Sequence, residues 1–282
     1  MNNLQLPRGR VLDLTCPQIM GILNVTPDSF SDGGSYCQTD SAVNQAILML
    51  KQGATIIDIG GESTRPGAPD VTLEDELQRV IPAIEAIRSI SDCVISIDTS
   101  KAEVMAAAIA AGADIINDVR ALQEANALEV AAQFDDVPVC LMHMQGAPRT
   151  MQLNPHYEDL FSDINAFFDA RIAACEQAGI KRERLILDPG FGFGKNLQHN
   201  FALLGRFAAF SHFQLPLLAG LSRKSMFGKL LNRDTDKRLA ASLAGALLCA
   251  QQGAHIIRVH DVQETADVLQ VLHAACNGVE HE

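Results

Sequence analysis

The sequence predicts an α/β protein, a (β/α)8 TIM barrel with an N-terminal hairpin covering the barrel bottom, and three observations carry that prediction. The first is a phrase written three times: Gly53-Ala54-Thr55-Ile56-Ile57, Gly112-Ala113-Asp114-Ile115-Ile116 and Gly253-Ala254-His255-Ile256-Ile257 all read Gly-Ala-x-Ile-Ile. A glycine after a helical stretch is the usual left-handed stop, and the β-branched run behind it suits a strand buried on both faces. Each copy leads into a polar residue, Asp58, Asn117 or Arg258, so the phrase reads as a helix-to-strand joint that delivers different chemistry each time. The second observation is eight strand-length apolar runs alternating with helix-period stretches from start to finish. Such alternation implies parallel pairing, and eight units fit a closed barrel better than an open sheet with edges to protect. The third is a missing signal: a doubly wound sheet would be expected to show G-x-G-x-x-G after its first strand, and residues 24–34 lack that spacing.

The eight runs centre on residues 20–23, 56–59, 94–97, 115–117, 139–142, 185–187, 217–219 and 256–259. Ahead of the first, residues 10–20 hold a short apolar pattern broken by Pro17, the candidate for the covering hairpin. Helices are expected over 42–52, 73–90, 101–111 and 239–252, the second opened by Thr72 and Asp75 as a capping box with Asp in place of the usual Glu or Gln. The fifth unit is long, 146–184, and should include an amphipathic helix over 157–178. Two loops at strand ends, 26–40 and 63–70, are rich in Gly, Pro and Ser; they are expected to lack regular structure and to move. The stretch 239–249 is apolar nearly all round. An outer barrel helix should keep a wet face, so a partner subunit is expected to cover this one, the alternative being burial by its neighbours alone. No Pro/Gly/Ser linker divides the chain, and residues 1–282 read as one domain.

Composition narrows the function. The formal charge of -12 argues against a nonspecific nucleic-acid binder and means that an anionic substrate needs a local cluster of Arg and Lys. No apolar run reaches the roughly 18–20 residues of a membrane span, and the polar first ten residues lack a secretory core. Seven cysteines are scattered without a CxxC pair, so they read as reduced, packed thiols of a cytoplasmic protein.

In a barrel the active site sits where the strands end. In order, those ends deliver Asn24; Glu62-Ser63-Thr64-Arg65; Asp98-Thr99; Asn117-Asp118; His143; Asp188; Ser222-Arg223-Lys224; and Arg258 with His260. A single Asp behind a strand is more often a cap; eight strands all carrying such groups is hard to attribute to capping. The groups fall into two sets. Asp98, Asn117, Asp188 and Lys224 suit a flat heterocycle with an amidine-like edge, since a carboxylate accepts paired N–H bonds and an amide both gives and receives. Arg65, Arg258 and His260, with Asn24 and the Ser/Thr-rich loops, suit a phosphate or diphosphate with a metal. Asn24 alone is a weak metal contact, which fits Mg2+ held mostly by substrate phosphates and water. His143 reads equally well as a satisfied core histidine and stays outside the candidate set.

Some motifs fail. Asp188-Pro-Gly-Phe-Gly-Phe-Gly194-Lys195-Asn196 looks like a phosphate loop, but three residues separate Gly190 from Gly194 where Walker A needs four, and Asn196 replaces the Ser or Thr. It reads instead as a tight turn bringing Phe193 over the site. No G-x-S-x-G elbow occurs, and no cysteine has an evident activating partner.

At this point the motifs resemble the dihydropteroate synthase family of folate biosynthesis. The signatures are Gly21-Ile-Leu-Asn24-Val-Thr-Pro-Asp28-Ser-Phe30-Ser-Asp32-Gly, Asp58-Ile-Gly-Gly-Glu-Ser-Thr64-Arg65-Pro66-Gly67, Ile97-Asp98-Thr-Ser-Lys101, Asn117-Asp118, Asp188-Pro-Gly-Phe-Gly-Phe193-Gly-Lys, Ser222-Arg-Lys224-Ser and Arg258-Val-His260-Asp261. They run from about Leu12 to Glu264, and the first two are close to diagnostic. The resemblance implies condensation of 4-aminobenzoate with the diphosphate ester of hydroxymethyl-dihydropterin, a Mg2+ cofactor and a homodimer. It implies a pterin site of Asp98, Asn117, Asp188 and Lys224 with Met142 and Phe193, and an aminobenzoate site of Thr64, Arg65, Pro66, Phe30, Ser222 and Lys224. It implies a diphosphate site of Asn24, Thr64, Arg65, Arg258 and His260, with Asn24 at the metal. Asp98, Arg65, Lys224, Arg258 and His260 are then the expected catalytic set. Two other readings stay open: a pterin-binding methyltransferase serving a corrinoid protein, which would not need the Ser-Thr-Arg and Arg-Val-His groups, and a non-catalytic pterin-diphosphate binder.

Overall fold

The computed structural model describes residues 3–26, 35–63, 70–146, 151 and 155–278, with no description of the side chains of 35–38. Two antiparallel strands, β1 (Asn3–Leu6) and β2 (Arg10–Asp13), precede eight parallel ones. The eight are β3 (Gln18–Asn24), β4 (Ile56–Gly60), β5 (Val94–Asp98), β6 (Ile115–Asp118), β7 (Val139–Met142), β8 (Leu185–Asp188), β9 (Leu218–Ala219) and β10 (Ile256–Val259). Their hydrogen-bonded order is β8-β7-β6-β5-β4-β3-β10-β9. A parallel bridge between Leu187 and Leu217 closes β8 onto β9, so the sheet is a barrel, and every predicted run is a strand of it.

The repeated phrase is one structural joint built three times. Gly53, Gly112 and Gly253 all have positive φ (103°, 114° and 88°). In each copy the following alanine N–H reaches back to a carbonyl five residues earlier: Ala54 to Met49, Ala113 to Ala108 and Ala254 to Cys249, each at 2.9 Å. That is the long bond of a Schellman stop. The next residue then donates to the neighbouring strand, Thr55 to Ile19, Asp114 to Ile95 and His255 to Leu217, which sets the register of the strand that follows.

Alternation along the strands sorts side chains between the helices and the barrel interior. Ile57, Ile59, Ile97, Val139, Leu187 and Val259 face outward into the main core. Met20, Ile56, Val94, Ile115, Cys140, Ile186, Leu218 and Ile256, one from each strand, form an apolar floor with Leu4, Leu6, Leu12 and Leu14 of the hairpin. Two residues further along each strand stand Ile22, Asp58, Ser96, Asn117, Met142, Asp188, Gly220 and Arg258, and the interior turns polar.

The hairpin corrects one expectation. It does not lie within 10–20; β2 pairs backward with β1, Leu4 opposite Leu12. Asn3-Leu4-Gln5-Leu6 alternates with period two, and Arg8 and Gly9 turn the chain with φ of 65° and 70°. The alternation makes a half-buried strand of what reads as a polar tail. Asp114, fully buried at the second joint, ties the hairpin down: Arg8 and Arg10 both bond its Oδ1, and Arg88 donates to its Oδ2 at 2.7 Å.

The helices are α1 (Ser35–Lys51), α2 (Leu73–Ile90), α3 (Ala102–Ala111), α4 (Ala127–Ala132), α5 (Leu160–Gln177), α6 (Leu197–Gly205), α7 (Ser225–Leu231), α8 (Leu239–Gln251) and α9 (Val262–Asn277). Helix α1 begins inside the predicted loop 26–40; the rest of the two strand-end loops, at 27–34 and 64–69, lies outside the described residues. Thr72 caps α2 by accepting from Asp75 N at 3.1 Å, but its hydroxyl donates to the Asp75 carboxylate at 2.8 Å, so only half of a capping box forms. Aspartate is one methylene too short to reach back to the cap N–H. Helix α8 buries Ser242, Gly245, Ala246, Cys249 and Ala250 against the barrel and leaves Leu239 and Leu248 exposed, so neighbours alone do not cover it. The six described cysteines are free thiols. Among the described residues no helix is long and apolar enough to cross a membrane.

Candidate functional site

The polar residues delivered by the three joints meet one another. Asp58, fully buried, accepts from Asn117 Nδ2 at 3.2 and 3.4 Å and from Arg258 Nε at 2.6 Å. Arg258 Nη2 donates to Asp98 Oδ2 at 2.7 Å. The expected ring-binding and anion-binding sets are therefore joined: Arg258 is bonded into the carboxylate side of the mouth. Asp58 stands outside the expected site. The clue to it was in the repeated phrase, which names Asp58, Asn117 and Arg258 as equivalent deliveries.

The mouth's second half assembles around the turn after β8. Asp188 Oδ1 accepts from Gly190 N at 2.7 Å. Phe193 packs with Met142 in an apolar cluster, and the Lys224 ammonium lies 4.1 Å from the centre of the Phe193 ring. A Cβ on Gly220 would lie 3.9 Å from Asp188 Oδ2 and 3.9 Å from Arg258 Cδ, so the bare glycine keeps the space between the two halves open. At the rim, Ser222 Oγ accepts from His260 N at 3.2 Å and lies 3.1 Å from His260 Nδ1, which orients that ring. Asn24 ends β3 in register with Gly60, and Gly60 with Asp98. The described members of the predicted set thus converge: Asn24, Asp98, Asn117, Met142, Asp188, Phe193, Ser222, Lys224, Arg258 and His260. Phe30, Thr64, Arg65 and Pro66 lie outside the described residues.

Two strand-end residues are bound within the protein instead. Asp118 accepts from the N–H groups of Arg120 and Leu122 and from the Ser100 hydroxyl. His143 is buried against Lys195. A cavity of about 650 Å3 opens beside the mouth, between the ends of β6 and β7 and α5, and shares only Met142 with the predicted set.

Burial sets the electrostatics of the mouth. Desolvation pushes the Asp98 carboxyl up to about 7, against the pull of Arg258, and Asp58 adds to the rise. Asp188 is raised by the same cause, partly offset by the Gly190 N–H and by Lys224, Lys195 and Arg258. Lys224, half-buried as a residue but with its ammonium enclosed, is brought down to about 8 by desolvation although Asp188 opposes the fall. Burial also works against the Arg258 charge, but Asp58 and Asp98 outweigh it and hold the guanidinium above its ordinary value. Perturbed groups concentrated in one mouth mark a functional site.

Known proteins share this fold. The family model for pterin binding enzymes matches residues 20–260. A dihydropteroate synthase of Escherichia coli (strain K12) is 58% identical over 275 residues, covering 98% of this chain and 97% of its own. A Yersinia pestis dihydropteroate synthase solved with a sulfonamide drug superposes with a TM-score of 0.92 at 55% identity, covering 97% of this chain and 99% of that one. The Xanthomonas albilineans enzyme solved with 4-aminobenzoic acid gives 0.91 at 47% identity, with 98% and 99% covered. A match to the family model over most of the chain, 58% identity over nearly its full length and a closely superposing barrel point the same way: the chain belongs to the pterin binding enzymes, and among them to the dihydropteroate synthase family.

Proposed function

We propose that the mouth holds a dihydropterin diphosphate and 4-aminobenzoate and joins them, releasing diphosphate. The observation that carries this reading is the cluster of Asp58, Asp98, Asn117 and Arg258 above an apolar floor, with Asp188 and Lys224 across Gly220. Asp98, Asp188 and the Asn117 amide form an acceptor-rich wall suited to the N–H edge of a pterin, with Asp58 buried behind it holding Asn117 and Arg258. Phe193 and Met142 give the ring an apolar face.

The reaction breaks a carbon–oxygen bond to diphosphate and forms a carbon–nitrogen bond, and the amine gives up a proton. Positive charge develops on the methylene carbon as diphosphate leaves, and the electron-rich pterin delocalises it. Asp98 and Asp188 stabilise a cationic ring electrostatically. Arg258, whose Nη1 makes no hydrogen bond among the described residues, and His260, oriented by Ser222, would hold the leaving diphosphate with Arg65 and Thr64. No protein nucleophile is required: burial raises the thiols of Cys93, Cys140, Cys175 and Cys249 away from reactivity.

The described residues contain no group of three or more His, Cys, Asp or Glu able to enclose a metal. That donor set fits a Mg2+ that takes most ligands from the diphosphate and water, with the Asn24 amide oxygen as one protein ligand. Bound there, the metal would neutralise charge on the leaving group. A cytoplasmic homodimer belongs to the same proposal: the free thiols suit a reducing compartment, and the apolar outer face of α8 suits a second copy.

Calorimetry with dihydropterin diphosphate and Mg2+, followed by addition of 4-aminobenzoate and assay of diphosphate, tests the reading. Diphosphate and dihydropteroate should appear in equal amounts. Binding without release would leave a pterin binder, and no binding would defeat the assignment. Arg258→Ala and Asp188→Ala should each lower turnover ~10²–10³-fold or more. Diphosphate release that required aminobenzoate in every turnover would favour concerted displacement over a cation.

A further inference from the structure

The glycine-rich turn after β8 hides a cation that the chemistry above leaves unused. Lys195 is 2% exposed, a rare state for lysine without a carboxylate partner. Its ammonium donates to the carbonyls of Gly190 at 2.9 Å and Phe193 at 3.1 Å, and lies 3.0 Å from His143 Nδ1. Three N–H bonds thus have three close acceptors. His143 can accept only as the neutral imidazole; burial first, and then the Lys195 charge, hold its pKa down to about 2.

The acceptors come from two strand ends, His143 from β7 and the others from the turn after β8. The turn runs close against the end of β7, and two glycines permit the approach. A Cβ on Gly190 would sit 2.0 Å from the His143 carbonyl oxygen, and one on Gly194 would sit 2.4 Å from that of Gln145. What this segment presents to the mouth is Asp188, bonded to Gly190 N, and the Phe193 ring beside Lys224. The charged and titratable groups facing the ammonium are His143 from β7, Asp188 from β8, His199 from α6 and Lys224 from the loop after β9.

We propose that Lys195 is a positioning residue for the ring half of the site: by tying the turn after β8 to the end of β7, it fixes the Asp188 carboxylate and the Phe193 ring against the bound pterin. The proposal rests on the pterin reading of the mouth. Removing the ammonium takes its N–H from three buried acceptors, leaving Gly190 O with only the Phe193 N–H at 3.2 Å, and loosens the tie between the turn and β7. Burial brings the Lys195 ammonium down to about 7, so on the acid side of that value the substitution also removes a positive charge that lowers the Asp188 pKa. A lysine that merely stabilised the fold would do neither to the ligand.

The test is titration calorimetry of dihydropterin diphosphate with Mg2+ into wild type and Lys195→Met, well below the melting temperature of each, from pH 5.5 to 8.5. Wild type should bind. Lys195→Met should bind about ten- to a hundredfold more weakly, the scale of a small misplacement. The pH below which its binding fails should move upward as Asp188 loses a neighbouring cation. A folded Lys195→Met with wild-type affinity and an unmoved acid limb would overturn the proposal while leaving the pterin reading intact. No binding by wild type would overturn the reading and the proposal together. If Lys195→Met does not fold, His143→Leu, which removes one acceptor of three, should weaken binding in the same direction; unchanged affinity there would also overturn the proposal.

Discussion

Asp58 makes no contact with solvent, yet it holds two groups that should touch substrate. Its carboxylate takes Nε of Arg258 and Nδ2 of Asn117, which leaves Arg258 pinned between Asp58 and Asp98. Removing one partner of a buried pair leaves the other uncompensated. Asp58→Ala should therefore lower turnover about 10²–10³-fold, like Arg258→Ala. Because both substitutions break the same contact, the double variant should be little worse than either single one. Multiplied losses in steady-state kinetics would mean that the two residues act separately. The pH dependence follows from two other residues in the mouth. Ionised Asp98 is needed to accept from the pterin, so kcat/KM should rise as pH climbs through about 7. Protonated Lys224 is needed on the other side, so the rate should fall as pH passes about 8. The profile is a narrow bell, and Asp98→Asn should leave only the part of its acid limb that Asp188 contributes and cost much of its height.

At the scale of elements, the two ends of the barrel divide the work between them. Asp114 sits at the bottom, where Arg8, Arg10 and Arg88 converge on one carboxylate. Asp114→Asn leaves three guanidiniums facing a neutral amide. Arg8 is partly exposed, so the lower end of the range for breaking a buried pair applies, about 3 kcal/mol. That corresponds to a melting temperature lower by roughly 6–12 °C in a domain of this size. Turnover of the folded variant should stay near wild type, because the mouth is at the other end of the strands; calorimetric melting and a rate assay check both halves. How much of this was legible depends on whether the signal was local. The Gly-Ala-x-Ile-Ile joints are written within a dozen residues and gave their strands away. The hairpin is a weaker signal, four residues of alternation at the chain start, too few to mark its first strand. Asp58 escaped for another reason. It stands two residues above the apolar floor, not at the strand's end, and its partners Asn117 and Arg258 are 59 and 200 residues away. Only closure of the barrel brings them together. The same holds for Lys195 and His143, 52 residues apart.

For the whole molecule, a net charge of -12 must still admit an anionic substrate, and the arrangement of charge explains how. Arg258, Lys224 and His260 line the mouth and face inward, where field lines are focused and a distant acidic surface counts for less. The outer surface has one region of a different character. Helix α8 exposes Ala240, Ala244 and Leu248, spaced by four and so on one face, and it packs beside α9. Leu230 and Leu231 of α7 and Val271 of α9 are also exposed, at 55%, 46% and 70%. A helix with no charged residue along 13 positions gains nothing from water on that side. A second copy that brought the same face would bury apolar area without pairing a single charge. Wild type should therefore sediment at twice 30.4 kDa, and Leu248→Glu, which sets like charges opposite each other across such a symmetric contact, should sediment at 30.4 kDa. The mouth of each barrel is built from its own eight strands, so the separated variant should keep pterin affinity within a few-fold. A wild-type monomer would remove the dimer from the proposal, and loss of binding on separation would mean that the partner helps to build the site.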